Sequence, residues 1–212
     1  MPSTSKRRYH SPLRAAQAEA TRGRIVAVAL ERFAADGVAG TSIAEIARAA
    51  EVAPETIYAT FGSKDGLLGA IAETVIRERF PQAAFVRRHA ELAGRPRAQI
   101  RHLVEAVGDF LAASPDLVRL NGMAGRQMAD AFEPFRRSLG GPGLGPFTDV
   151  PPGVLRADLD PERAYVIANA ILTPGLYARM VDVGGLSLAE FKRRTAELLE
   201  AALFDPAAVD PD

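Results

Sequence analysis

Between Thr41 and Lys64 the sequence gathers side chains suited to holding a polyanion. They are the hydroxyls of Thr41, Ser42, Thr56 and Thr60, the Tyr58 phenol, the Arg48 guanidinium and the Lys64 ammonium. Hydroxyls, phenols, cations and the free N–H groups at a helix start all donate to phosphate oxygens. Glu55 has the chemistry to accept from a cytosine amine, and Thr56 to meet a base edge or a thymine methyl. The same residues have plainer uses: Glu55 can complement a helix dipole, Tyr58 can pack half-buried, and Lys64 can be a solvated residue beside a cap.

Other chemistry finds little support. There is no Cys, which excludes disulfides, thiolate metal sites and Cys nucleophiles. The sequence contains no G-x-S-x-G, no H-E-x-x-H and no P-loop. His89 and His102 fall on separate predicted helices with no evident nucleophile. Gly141–Gly145 carries Pro142 and follows no strand, so it reads as a loop. Asp158, Asp160 and Glu162 have the spacing of a cation site, but helix capping already accounts for Asp160 and Glu162. No metal, cofactor or catalytic activity is expected.

Periodicity and capping signals show which elements must position these side chains. Apolar residues at 25, 26, 29, 30 and 33 define a helix over about 15–35, stopped by Asp36-Gly37 with Gly37 in the left-handed C′ conformation. Ser42-x-x-Glu45 is a capping box for a second helix. Pro54 suits the first position of a third, which ends near Phe61, and Ser63 caps a fourth carrying Leu67, Leu68, Ile71 and Val75. Thr41–Phe61 is therefore two short helices joined by a tight turn. Ile43, Ile46, Ala47, Ala50, Val52, Ile57 and Phe61 close one small core and leave the outer face of 54–61 free. A major groove about 12 Å wide admits one such helix.

Beyond Pro81 longer helices are predicted at about 82–93, 96–113, 116–130, 133–138, 160–182 and 187–204, the fifth kinked at Pro174. Residues 138–153 hold five Gly and four Pro and read as an irregular loop. The fold class is all-α, with about nine to ten helices.

Composition agrees with a globular protein: 212 residues, 48% hydrophobic and 25% charged. Charge is balanced at 26 basic against 26 acidic residues but unevenly spread. Residues 1–24 carry six basic residues against Glu19 alone, a net of +5. A Lys6-Arg7-Arg8 arm of this kind suits an adjacent minor groove, or simply solubilises the chain. The longest uncharged run, Ala164–Ala178, has 15 residues and is broken by Asn169, Pro174 and Gly175, too short for a span of about 20. A soluble, cytoplasmic protein without membrane contact is expected.

Thr41–Ala47, Ala50, Val52, Thr56-Ile57-Tyr58, Phe61, Ser63-Lys64 and Leu67-Leu68 together resemble the DNA-binding domain of TetR-family transcriptional regulators. Arg24-Ile25, Ala29-Leu30 and Phe33–Gly37 are similar to that family's first helix. The resemblance implies a flexible arm over 1–14, a DNA-binding domain over 15–63, a ligand-binding and dimerisation domain over 64–205, and a tail over 206–212. It implies contact with double-stranded operator DNA through Thr41, Ser42, Arg48, Pro54, Glu55, Thr56, Tyr58, Ala59, Thr60 and Lys64. Tyr58 and Lys64 take phosphates in this reading.

The chain departs from the family pattern at Glu51, usually Gly, at Ala53, usually a Ser cap, and at Ala59 and Thr60, usually bulky or basic. A small-molecule effector site is implied near Phe85, His102, Phe110, Met123, Gln127, Met128 and Asn169. A homodimer face is implied at Tyr165, Ala168, Leu172, Leu176, Phe191, Leu198, Leu199 and Ala202. The implied function is a repressor released from its operator by a hydrophobic or amphipathic effector. A ligand- or partner-binding protein of the same fold that has lost DNA binding is the alternative.

Overall fold

In the computed structural model the chain is described over residues 12–121, 130, 133, 150–151 and 153–207. Every regular element among these residues is helical, apart from one isolated antiparallel bridge between Leu155 and Phe204. The order is α1 (Pro12–Gly40), α2 (Ile43–Ala49), α3 (Pro54–Phe61), α4 (Lys64–Arg79), α5 (Gln82–Glu91) and α6 (Pro96–Ala112). Then follow α7 (115–121), α8 (Pro161–Ile171), α9 (Pro174–Tyr177), a π-helical turn (Ala178–Val183) and α10 (Leu188–Leu203).

The caps form where their residues dictate. The Ser42–Glu45 box is closed in both directions, Ser63 accepts from the Gly66 N–H, and Asp160 accepts from the Arg163 N–H. Ser187 and Glu190 form a second capping box at the start of α10. In α1 the break falls at Gly37 as expected, but with a different geometry. Its φ of 76° and ψ of 159° lie outside the left-handed helical well, in a region open essentially to Gly.

The expected single helix over 160–182 is broken, not kinked. Pro174 lacks the N–H that would continue the ladder and drives Thr173 into extended geometry, φ −119° and ψ 153°. The Thr173 hydroxyl then accepts from the Leu176 N–H at 3.1 Å and starts α9 afresh. The expected 133–138 helix and the 138–153 loop lie largely outside the described residues, as does the arm.

One continuous core joins the two ends of the chain. Ile25, Ala29 and Phe33 of α1 are buried together with Leu67, Leu68 and Ile71 of α4. Phe191, Thr195, Leu199 and Leu203 form the buried stripe of α10, which packs on α6 and α8. Gly108 makes the α6–α10 approach possible, since a Cβ there would lie 2.9 Å from Lys192 Cγ. The Lys192 ammonium ends between Glu105, at 2.6 Å, and Asp109, at 2.8 Å, which together hold its pKa above the ordinary value against the opposing cost of burial. Arg97 clasps the C-terminal end, donating to the Asp205 carbonyl at 3.0 Å and stacking over Phe204.

Candidate nucleic-acid interface

The turn between α2 and α3 is held by main-chain bonds. The Ala50 N–H donates to Ile46 O at 2.8 Å and the Val52 N–H to Ala47 O at 2.9 Å. Between them Glu51 sits at φ 55°, the one non-glycine residue with positive φ among the described residues. The family glycine would fit here without steric cost, whereas an L side chain carries roughly 1 kcal/mol of strain. Ala53 occupies the N-cap of α3 with no side-chain bond, leaving only the Thr56 N–H to Ala53 O contact at 2.9 Å. From α1, Arg24 Nε donates to Ala50 O at 2.9 Å and caps the C-terminal end of α2.

α3 divides cleanly. Ile57 is buried and Phe61 half-buried beneath the Arg22 guanidinium, 4.9 Å from its ring centre. Glu55, Ala59 and Thr60 are exposed, Pro54 and Thr56 half-buried, and Tyr58 is 54% exposed, a large value for an aromatic residue. The Thr60 hydroxyl donates back to Thr56 O at 2.7 Å. On α2, Ser42 and Arg48 are exposed. The Ser42 N–H holds the Glu45 carboxylate at 2.7 Å, the Ser42 hydroxyl adds a second bond, and both keep the carboxyl's pKa below its usual value.

Two predicted contacts are redirected. Thr41 is buried, 3% exposed, with its hydroxyl donating to Gly37 O at 2.9 Å, so it does not face outward. The cause is the i−4 back-bond open to any Thr after a helix end. Lys64 is half-buried and donates to Val38 O at 2.9 Å and Thr41 O at 2.7 Å, so its ammonium is not a free cation. Arg24 was not among the predicted site residues. Its register on α1 was readable, but its partner is a carbonyl 26 positions away.

The described members of the predicted effector set are engaged inside the chain. Phe85 and Phe110 are closed into the core around Phe80, with ring centres 5.5 and 5.8 Å from it. His102 stacks on Phe85 at 4.7 Å and places Nε2 3.2 Å from the Phe85 carbonyl. The Asn169 amide donates to Tyr165 O at 2.8 Å. Met123, Gln127 and Met128 lie outside the described residues. An open groove does run between α1, α4 and α7, lined by Val26, Leu30, Ala34, Val75, Arg79 and Asp116 among others. Arg79 and Asp116 form an ion pair at 3.6 Å there.

The predicted dimer residues divide between the interior and the surface of the chain. Tyr165, Ala168, Phe191 and Leu199 are buried within the chain itself, and the Tyr165 hydroxyl donates to Glu133 at 3.0 Å. A stripe at i, i+4 and i+8 shows that a helix packs, but not on which neighbour. Leu172, Leu176 and Ala202 are half-buried, while Leu198 is 49% exposed, Val166 57% and Val183 79%. Among the described residues no group of three or more His, Cys, Asp or Glu is arranged to hold a metal ion, and no helix is long and apolar enough to cross a membrane.

A short helix presented on a tight turn after another short helix is helix-turn-helix geometry, and the regular elements described beyond it are helices. Residues 25–71 match the family described as bacterial regulatory proteins, tetR family. The chain is 34% identical over 101 residues to the HTH-type transcriptional regulator BetI of Burkholderia mallei, covering 48% of this chain and 51% of that protein. BetI of Paraburkholderia phymatum is 30% identical over 101 residues, covering 48% and 50%. The chain thus spans about half the length of the BetI relatives it matches.

Solved structures share the fold over more of the chain. NalD of Pseudomonas aeruginosa, the secondary repressor of the MexAB-OprM multidrug efflux pump, superposes with a TM-score of 0.61 at 19% identity, over 91% of this chain and all of the other. FadR of Bacillus subtilis, solved with stearoyl-CoA, gives 0.60 at 17% identity over 85% of this chain and 98% of the other.

Proposed function

We propose that this protein is a sequence-specific transcriptional regulator that lays α3 in the major groove of operator DNA. One observation carries the reading: Ile57 anchors α3 inward while Glu55, Tyr58, Ala59 and Thr60 stand exposed. Tyr58 and Arg48, with the first N–H groups of α2, hold phosphates; Glu55 and Thr56 meet base edges. Ser42 orients the start of α2 through its capping box. The small side chains of Ala59 and Thr60 let the α3 backbone approach the groove floor closely.

The unit is a homodimer, since a palindromic site requires two α3 helices about 34–36 Å apart. Its face is drawn from the apolar residues that α8 to α10 leave outward, Val166, Val183 and Leu198 exposed and Leu172, Leu176 and Ala202 half-buried. The regulator acts as a repressor released by a hydrophobic or amphipathic small molecule, as the stearoyl-CoA carried by FadR and the repressor role of NalD suggest for this fold. α4 runs from the DNA-binding domain into the second half, and Arg79 ties its last turn to α7. An effector that prefers a shifted α4 weakens operator affinity by about 5–150-fold, a coupling of about 1–3 kcal/mol.

A salt titration of binding to DNA from upstream of the protein's own gene tests the reading. Phosphate contacts require log affinity to fall linearly as log salt rises. An affinity indifferent to salt sends the reading to the alternative, a helical binding protein without a DNA partner.

A further inference from the structure

We propose that Lys64 is a positioning residue that fixes the pose of α3, and not one of the phosphate contacts. The inference rests on the DNA-binding reading above. Two sides of α3 are set locally. Toward α2, the Val52 N–H to Ala47 O bond closes the turn. Toward α4, Gly62 turns at φ 74° and α4 begins almost in contact with α3, since a Cβ on Gly66 would fall 2.0 Å from the Phe61 carbonyl oxygen. What remains open is the third side of the triangle, between the start of α2 and the start of α4.

Lys64 closes it. It is the first residue of α4, and its ammonium donates to Thr41 O, immediately before the Ser42 cap of α2, and to Val38 O in the last residues of α1. Thr41 is itself pinned through its hydroxyl to Gly37 O. The end of α1, the start of α2 and the start of α4 therefore meet at one nitrogen. A compact ammonium suits this junction, because it delivers separate N–H bonds to two carbonyls, Val38 O and Thr41 O, on the two sides of the α1–α2 junction. With two of its three donors turned inward, the group is aimed at the protein and not at a strand. Any motion of α4 is passed through this nitrogen to α2 as well as through the α3 corner.

Two measurements test this. The first uses the wild-type protein, in which Lys6, Lys64 and Lys192 are the only lysines. Limited acetylation with acetic anhydride is followed by mass spectrometry, with and without a DNA fragment from upstream of its own gene. Lys64 should react at least about tenfold more slowly than lysine in an added unstructured peptide, as two charge-assisted bonds require, and its rate should not change when DNA is added. Rapid reaction in the free protein with protection by DNA would make Lys64 a phosphate contact and overturn the proposal.

The second measurement compares Lys64→Met with wild type in salt titrations of DNA binding. The expected result is affinity reduced about tenfold or more with the salt slope unchanged, because two charge-assisted bonds holding α3 are lost but no phosphate contact is. A slope shallower by about 0.9, the signature of one lost phosphate contact, contradicts the proposal. So does unchanged affinity with a lowered melting temperature, which would leave Lys64 a stabilising residue only. If Lys64→Met does not fold, the acetylation result decides alone. A wild-type protein whose DNA affinity ignores salt removes the DNA-binding reading itself, an outcome distinct from either of these.

Discussion

Glu51 holds a backbone position that any side chain beyond hydrogen resists, with φ at 55° in the turn that aims α3. Glu51→Gly relieves roughly 1 kcal/mol of steric strain and gives back part of that as extra freedom of the unfolded chain. A net stabilisation of roughly 0.5 kcal/mol is expected in urea unfolding, with DNA affinity preserved. His89 works in the other half of the molecule. It is 5% exposed, stacks on Phe85 at 5.4 Å, and its Nδ1 has no hydrogen-bond partner. Burial, reinforced by His102, lowers its pKa from 6.5 to about 4. Below pH 6.5 the unfolded chain takes up a proton that the folded chain refuses until about pH 4, so stability falls with pH across that window. Between pH 7 and pH 5 the loss from this group is about 2 kcal/mol, and urea titrations of His89→Phe should show the pH dependence reduced by that amount.

At the scale of elements, the helix starts carry much of the local design. Ser42→Ala removes the hydroxyl half of the α2 capping box, leaving the backbone N–H bond to Glu45, and should cost about 1 kcal/mol in urea unfolding. Because the Glu45 pKa is lowered by its bonds to Ser42, the box is intact above that pKa and opens as the carboxylate is protonated in acid. Such elements were legible because their signals are local: Ser42 with Glu45, Pro54, Ser63 with Gly66, and Asp160 with Pro161 each decide one turn of chain. The exposed face of α3 was legible for the same reason, since Ile57 and Phe61 fix which side faces in. The inward bonds of Thr41 and Lys64 were not legible because their partners are carbonyls, which every sequence has everywhere. Only the fold brings Val38 O within 2.9 Å of a lysine 26 positions later. Pro174 was read as a kink because its own signal does not reveal that Thr173 can restart the helix with a cap of its own.

At the scale of the whole molecule, the sequence could show that α8 and α10 are apolar without showing which stripe the chain keeps for itself. Phe191 and Leu199 went to the internal core, leaving Leu198 outward. If that surface joins two copies, Leu198→Arg should shift sedimentation from dimer to monomer and weaken operator binding with it, while helical content is retained. Two joined copies also fix what the DNA must look like. Selection of bound duplexes from a random pool therefore bears most directly on the claim that α3 reads DNA. The expected result is an inverted repeat whose half-site centres lie one helical turn, about 34–36 Å, or a multiple of it apart. A pool that emerges from repeated rounds with no enriched sequence would contradict it.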